Sequence, residues 1–532
     1  MNWEIKTYET IWIPIKNLSL INLGDILSIL PEIYLIIMTL VALVLIGTSN
    51  FVPASNSIQK KEIVMPTIYK FSITTLWYTV MLCLIQTIYF YLYKGSIVTF
   101  ANYSINDLYT TSIKLGVLLT IILIMNASAE SFKKHPRHLI EYPVLILLTT
   151  IFLLILISAY NFITVFLGIL GFSLNLYVLL LNDSFNQASR EAGIKYFYLS
   201  TVSSGLLICG IFLLYLIFQS TGFMAITWLL HNWKFFGNLD SNAFLLAVML
   251  YFIIFGFLFK LAAFPCHLWA PEVYDGSPNA ITVLFVLPIK IATFALFLRI
   301  LGHTFGDLYQ YWHYIVWMSA FFSMFWGCLG ALTEQNIKRF MAYSSINQMG
   351  FLLMGLTCGT FEGFRAALIY LLLYVIMNSG FFLLYLTTKE RTLNKSLTYL
   401  TDFNDFAQKN YLYSIGLVII LFSMAGIPPL GGFFGKYFIF LHSFETGHIG
   451  LVIMGMITSV IGAYYYLRII KIMWFEEPIN QRFDFQTQMS GYLFECYVFV
   501  EFVLVWFVIW SPWLFSFLNT LTQISLHPII LC

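Results

Sequence analysis

The sequence predicts an all-α polytopic membrane protein with about fourteen transmembrane helices, and three observations predict it. Of 532 residues, 60% are hydrophobic and only 10% are charged, whereas soluble domains carry about 25% charged residues. Apolar residues run in stretches of about 18–25 positions without the strict alternation of a membrane β-strand. Two stretches are overlong, broken by proline, and carry a lysine where lipid is expected. One is FGFLFKLAAFPCHLW, with Lys260 five residues before Pro265; the other is MAGIPPLGGFFGKYFIF, with Pro428 and Pro429 ahead of Lys436. A lone ammonium deep in a bilayer costs about 2.5–3.5 kcal/mol on insertion scales. A proline in a spanning helix frees backbone groups that only protein or trapped water can satisfy. The two features together, twice, predict a path for an ion or a proton.

Three spans, near 24–48, 67–93 and 111–128, form an N-terminal segment over 1–141. Glu32 follows Pro31 in the first of them and reads as structural. The fourth span, 142–159, opens on Glu141 after HPRHLI; an acid there suits the helix dipole, so a structural and a functional role serve equally. Spans follow at 161–182 and 195–218. Lys195, after Arg190 and Glu191 at a helix start, is a candidate proton carrier or a plain positive-inside anchor. The seventh span, 243–275, holds Lys260 and then His267, which either bridges lysines through water or packs. The eighth, 279–300, holds Lys290 nearly mid-span beside Pro288. Burial disfavours the charged form of a lysine, which makes such a group a reversible proton carrier.

Spans near 311–331, 339–358, 364–388, 411–446 and 449–474 come next, and 475–532 is a C-terminal helix (491–520) and tail. The spans of 142–300 and of 311–474 make two sets of five, and the broken helix is fourth in each. The first set starts inside and the second outside. This is the pattern of an inverted repeat with discontinuous helices in matching positions, which points to an ion pathway.

Loop charge sets the orientation. Loops after odd-numbered spans carry Lys60, Lys61, Lys133, Lys134, Arg137, Arg190, Lys338, Arg339, Lys389, Arg391, Lys395, Lys409 and Arg482. The opposite side carries little beyond Lys6, Lys16, Lys94 and Lys234. Both termini are therefore expected outside.

The composition excludes several classes. A net charge of +2 suggests no nucleic-acid partner. Seven cysteines are scattered without a CxxC pair, and nine histidines show no HxxxH spacing, so neither an iron–sulfur nor a zinc site is expected. GGFFGKY is no phosphate loop, because Tyr437 stands where Ser or Thr should follow Lys. No cofactor or metal is expected on this chain. The abundance of Phe, Ile, Tyr, Leu and Asn fits an AT-rich organelle genome. The N-terminus, MNWEIKTYETIWIPIKN, is shaped neither as a signal nor as a transit peptide, and a chain made inside the organelle needs none.

FKLAAFPCHLWAPEVYDGSP resembles the F-K-x-x-x-x-P-F-H-x-W-x-P-D-V-Y-x-G-x-P signature of the antiporter-like subunits of respiratory complex I. TEQNIKRFMAYSSINQMGF resembles a second segment of that family, and MAGIPPLGGFFGKYFIF, LPEIYLIIM and EAGIKY resemble its subunit 2 branch. The likeness runs from about 30 to 475. It implies a proton-channel subunit of the mitochondrial inner membrane with both termini toward the intermembrane space. NADH, FMN, iron–sulfur clusters and ubiquinone would lie on other subunits. The partners would be other membrane-arm subunits, neighbouring antiporter-like subunits among them, and lipids. The lysines matching Lys195, Lys260, Lys290 and Lys436 would carry protons, with an acid on the fifth span paired to the seventh-span lysine.

At that acid's position the chain departs from the family. FLGILGFSL places Leu170 there, and no charged residue occurs from Tyr142 to Asn182. Gln348 stands for the usual His and Cys266 for the usual Phe. Loading and ejecting a proton by making and breaking that ion pair is then unavailable, unless Glu141 or an acid from a neighbouring subunit substitutes. The rival readings are a subunit of a multi-subunit cation/proton antiporter and a structural complex I subunit with an impaired path.

Overall fold

A computed structural model describes residues 23–50, 57–93, 95–100, 102–133, 141–182, 186–236, 239–390, 397–476, 485–487 and 489–526. The N-terminal stretch MNWEIKTYETIWIPIKN, the HPRHLI run up to 140, and Lys94, Lys134, Arg137, Arg391, Lys395 and Arg482 lie outside the described residues.

Helices dominate. The N-terminal segment holds α1 (Leu23–Ser28), α2 (Leu30–Asn50), α3 (Ser57–Tyr93), the antiparallel hairpin β1 (Ile97–Thr99) and β2 (Ser104–Asn106), and α4 (Leu108–Lys133). Next come α5 (Tyr142–Ser158), α6 (Phe162–Leu181), α7 (Gln187–Phe218), α8 (Phe223–Phe236) and α9 (Leu239–Leu261). After a break at 262–268 follow α10 (Trp269–Gly276), α11 (Asn279–Val286) and α12 (Pro288–Arg299). The second half contains α13 (Tyr309–Thr333), α14 (Ile337–Thr357), α15 (Phe361–Thr387), β3 (Thr388–Glu390), the short α16 (Phe406–Lys409) and α17 (Tyr411–Ala425). After a break at 426–430 come α18 (Gly431–Glu445), α19 (Ile449–Phe475), β4 (Phe485–Thr487), α20 (Gly491–Val505) and α21 (Phe507–Leu526). Strand β3 pairs antiparallel with β4.

Each of the fourteen expected segments contains helix, but the count of fourteen spans is not reproduced. Among the described residues ten helices are long and apolar enough to cross a membrane, or eleven if the bent pair α20–α21 is one span. The others fall short for identifiable reasons. Helix α5 has only 17 residues, and α14 carries the polar run SSINQ. The 411–446 segment is split by its prolines into two helices of 15 residues. The 491–520 segment bends by 85° at Trp506. The expected connection 219–242 is largely the helix α8.

Residues 280–301 are all buried at the centre of the helical packing. Helices α4, α5, α9 and α15 pack around α12. Along α2, α3 and α7, residues such as Val44, Ile85, Val202 and Phe212 are exposed, as a lipid-facing ring requires when lipid replaces water as the solvent.

Candidate functional site: lysines at broken helices

Lys436 occupies the most completely built site. Helix α17 ends at Gly426, whose φ of 85° is left-handed, a conformation that glycine adopts at little cost. The chain then turns through Pro428 and Pro429 and restarts as α18. Lys436 Nζ donates to the carbonyls of Met424 at 3.0 Å and Ala425 at 2.9 Å. These are terminal acceptors of α17 with no partner inside that helix, and a cation at a helix C-terminus is favoured by the dipole. Gly432 makes the approach possible, since a Cβ there would lie 1.8 Å from the Ser423 carbonyl oxygen. The Phe351 ring lies 5.2 Å from Nζ.

Lys290 sits just past a second discontinuity. Helix α11 stops at Leu287 (φ −104°, ψ −82°) and α12 restarts at Pro288. The proline was visible in the sequence, but the break was not expected. Lys290 is buried, its Nζ donates to Ser345 Oγ at 2.9 Å, and the Tyr374 ring lies 6.0 Å away. Tyr374 Oη donates to the Val286 carbonyl at 3.0 Å, satisfying an acceptor at the break.

Lys260 is different. It lies in the last turn of α9, 3% exposed, with the rings of Phe259, Phe172 and Tyr196 at 5.3, 5.4 and 5.5 Å. Its Nζ has no hydrogen-bond partner among the described residues. Leu170 is half-buried on α6, and its neighbour Phe172 faces the ammonium. An aromatic cage thus stands where the resemblance implies a carboxylate. Aromatic faces attract a cation, but they accept no proton. The break is braced by Trp269 Nε1, which donates to the Phe259 carbonyl at 3.0 Å. His267 is buried beside Phe264, with ring centroids 5.7 Å apart.

Two expected residues stand apart. Lys195 is 43% exposed and ion-paired with Glu191 and Glu272, each at 2.8 Å. Glu141 is exposed at the start of α5, caps no backbone N–H, and makes no ion pair among the described residues.

Packed rings and hydrogen bonds lie between Lys260, Lys290 and Lys436. Tyr196 packs on Phe285 of α11 at 5.1 Å between ring centroids. On α14, Ser345 holds Lys290, and one turn on Gln348 accepts from Tyr370 Oη and donates to Tyr466 Oη at 3.4 Å. Tyr370 lies 6.0 Å from Phe351, the ring beneath Lys436. Gln348, in place of histidine, keeps donor and acceptor capacity but does not titrate near neutrality. Among the described residues no group of three His, Cys, Asp or Glu side chains could hold a metal ion.

The family model described as NADH:quinone oxidoreductase/Mrp antiporter, TM, matches residues 159–462, more than half of the chain and both broken helices. This chain belongs to that family. Among its relatives, a NADH-quinone oxidoreductase subunit N from Jannaschia sp. (strain CCS1) is 38% identical over 400 residues, covering 75% of this chain and 81% of that protein. A subunit N from Paramagnetospirillum magneticum (strain ATCC 700264 / AMB-1) is 37% identical over 383 residues, covering 70% and 77%. The fold matches a chain of respiratory complex I from Thermus thermophilus with a TM-score of 0.74 at 21% identity, covering 92% of this chain and 99% of that one. It also matches a chain of the Mrp complex from Dietzia sp. DQ12-45-1b, with a TM-score of 0.77 at 17% identity, covering 94% and 98%. This NADH:quinone oxidoreductase/Mrp antiporter chain is a multi-pass membrane protein.

The N-terminal segment also takes part in two buried ion pairs. Glu32 and Lys114 form a buried ion pair at 2.5 Å, and Lys114 Nζ also donates to Asn106 Oδ1 at 2.6 Å. Asp107 and Arg299 form a second pair, 0% and 2% exposed. Lys114 lies inside the expected span 111–128, so the rule that singled out Lys290 applies to it equally. Glu32, read from the sequence as structural, has its partner 82 residues along the chain.

Proposed function

We propose that this chain is a proton-translocating membrane-arm subunit of NADH:quinone oxidoreductase. It serves the translocation half of that enzyme, and the redox groups lie on other subunits. Its partners are other membrane-arm subunits, including neighbouring antiporter-like ones, together with lipids. Relatives named subunit N over two thirds or more of their length support the assignment. The observation that carries the mechanism is a pair of buried lysines at helix breaks, Lys290 held by one hydroxyl and Lys436 by two backbone carbonyls.

In this reading Lys290 and Lys436 are the principal carriers. Each ammonium is held by hydroxyl or carbonyl acceptors, which keep a proton-bound lysine in place without a permanent counter-charge. When the proton leaves, the neutral amine costs less to bury. Lys260 takes part through water alone, because no acid replaces the missing one in its cage. Lys195 and its two carboxylates form the entry to the Lys260 half from the membrane surface, His267 lines that half, and Glu141 supplies a negative charge at its edge. The chain divides into residues 1–141, an inverted pair of five-helix units at 142–300 and 311–474, and a C-terminal piece at 475–532.

Loop charge supports a membrane orientation with both termini on the side away from the positive loops. The composition supports the mitochondrial inner membrane, with the termini toward the intermembrane space. A cation/proton antiporter subunit is the second reading, favoured by the shared fold of the Mrp complex chain. Mild-detergent purification through a tag on this chain distinguishes the two. Co-purified NADH-oxidising activity supports the first reading, and a preparation without it, containing only antiporter-like chains, supports the second.

A further inference from the structure

We propose that Glu32 and Lys114 are a further proton-exchanging station, joined to Lys290 from the side of the N-terminal helices. The proposal rests on the proton-translocating reading above and adds to it a site outside the two broken helices.

Helices α4 and α12 run antiparallel. Asp107, at the start of α4, pairs with Arg299 at the end of α12, and Tyr109 Oη donates to the Ala295 carbonyl at 2.8 Å. From Asp107 to Lys114 the rise is roughly 10 Å, and from Arg299 back to Lys290 it is roughly 13 Å, at about 1.5 Å per residue. The Cα atoms of the two lysines therefore lie within about one helical turn of the same depth.

The two ion pairs differ in chemistry. An arginine stays protonated in proteins, so Asp107–Arg299 is a fixed pair, whereas a buried lysine can release its proton. Glu32 Oε2 and Asn106 Nδ2 are buried without hydrogen-bond partners among the described residues, as are Arg299 Nη1 and Thr304 Oγ1. Such orphaned polar atoms are where bound water satisfies a protein interior. The groups near Lys114 are Glu32 from α2, Cys83 from α3 and Asn106 from the hairpin. Helix α5 contributes no charge, and Glu495 of α20 borders a cavity along the Ser112–Gly116 face of α4. In the proposed step a proton moves from Lys114 Nζ to a Glu32 carboxylate oxygen, leaving a neutral amine and a carboxylic acid. The reverse transfer restores the ion pair, so charge and atoms balance without a co-reactant. This chain thus keeps an acid–lysine pair on the N-terminal side although Lys260 has none.

The test uses the whole complex reconstituted in liposomes, reading the proton-to-electron ratio during NADH oxidation by quinone. Lys114→Arg keeps the ion pair but cannot release a proton. The proposal predicts intact assembly, normal uncoupled electron transfer, and a ratio lowered to the level of Lys290→Met. The double variant Lys114→Arg/Lys290→Met should fall no further. A wild-type ratio for Lys114→Arg overturns the proposal while Lys290→Met still reports on the path itself. Should the bulkier arginine block assembly, the paired neutralisation Glu32→Gln/Lys114→Gln leaves no uncompensated charge. A wild-type ratio there overturns the proposal too, and a lowered ratio supports it. An unchanged ratio in Lys290→Met would overturn the underlying lysine path whatever Lys114 does.

Discussion

Gly432→Ala is expected to disable the Lys436 site without touching its lysine. The added Cβ would stand 1.8 Å from the Ser423 carbonyl oxygen and 2.7 Å from its carbon. Carbon atoms settle at about 3.5–4.0 Å from their neighbours, so α18 must retreat by roughly 1.5 Å or more. Both atoms belong to backbone, and no side-chain rotation relieves the clash. Lys436 Nζ now sits 2.9 and 3.0 Å from the Ala425 and Met424 carbonyls. A retreat of that size carries both contacts beyond hydrogen-bonding range. Two hydrogen bonds from a charged donor are worth about 1.5–3 kcal/mol each, which puts the loss at roughly 3–6 kcal/mol. The assay is proton translocation by the reconstituted complex, with Gly205→Ala as control, since nothing lies within 4 Å of a Cβ at that position. Gly432→Ala should lower the proton-to-electron ratio and the thermal stability of the assembled complex, and the control should change neither. An assembled Gly432→Ala complex with the wild-type ratio and stability would refute the argument that close approach of α17 and α18 builds this site.

Two smaller perturbations follow from the same geometry. Ser345→Ala removes the hydroxyl that accepts from Lys290. It should cost about 1–3 kcal/mol, the usual penalty for an orphaned buried donor, seen as a lower unfolding temperature together with a reduced proton-to-electron ratio. Lys260→Met removes an ammonium that has no hydrogen-bond partner among the described residues. Stability should hold or rise, and the ratio should fall less than in Lys290→Met; an equal fall would make Lys260 a full carrier despite its cage.

Much of the membrane fold was legible because lipid imposes one rule on every span: long, apolar and helical. The two overlong segments proved broken where their prolines stand. Length and composition do not report local geometry. The Leu287 break looked like an ordinary span because apolar residues continue through it. At the site, charge inside an apolar run identified Lys260, Lys290 and Lys436. The same reasoning gave Lys195 either a carrier or an anchoring role, and it stands exposed on α7, ion-paired with Glu191 and Glu272. What it could not supply was pairing. Ser345 lies 55 residues from Lys290 and Asp107 lies 192 from Arg299, and helical periodicity carries no information across such separations. The missing acid at Leu170 was legible, but its replacement by the rings of Phe172, Tyr196 and Phe259 was not.

The central claim is that protons cross this chain through its buried lysines. The most direct measurement is the proton-to-electron ratio of the intact complex in liposomes when Lys290 is replaced by Met. Methionine keeps an unbranched apolar stem at the start of α12 and removes only the titrating amine. The account predicts normal assembly, normal uncoupled NADH–quinone electron transfer and a lowered ratio. Normal assembly with an unchanged ratio would contradict it.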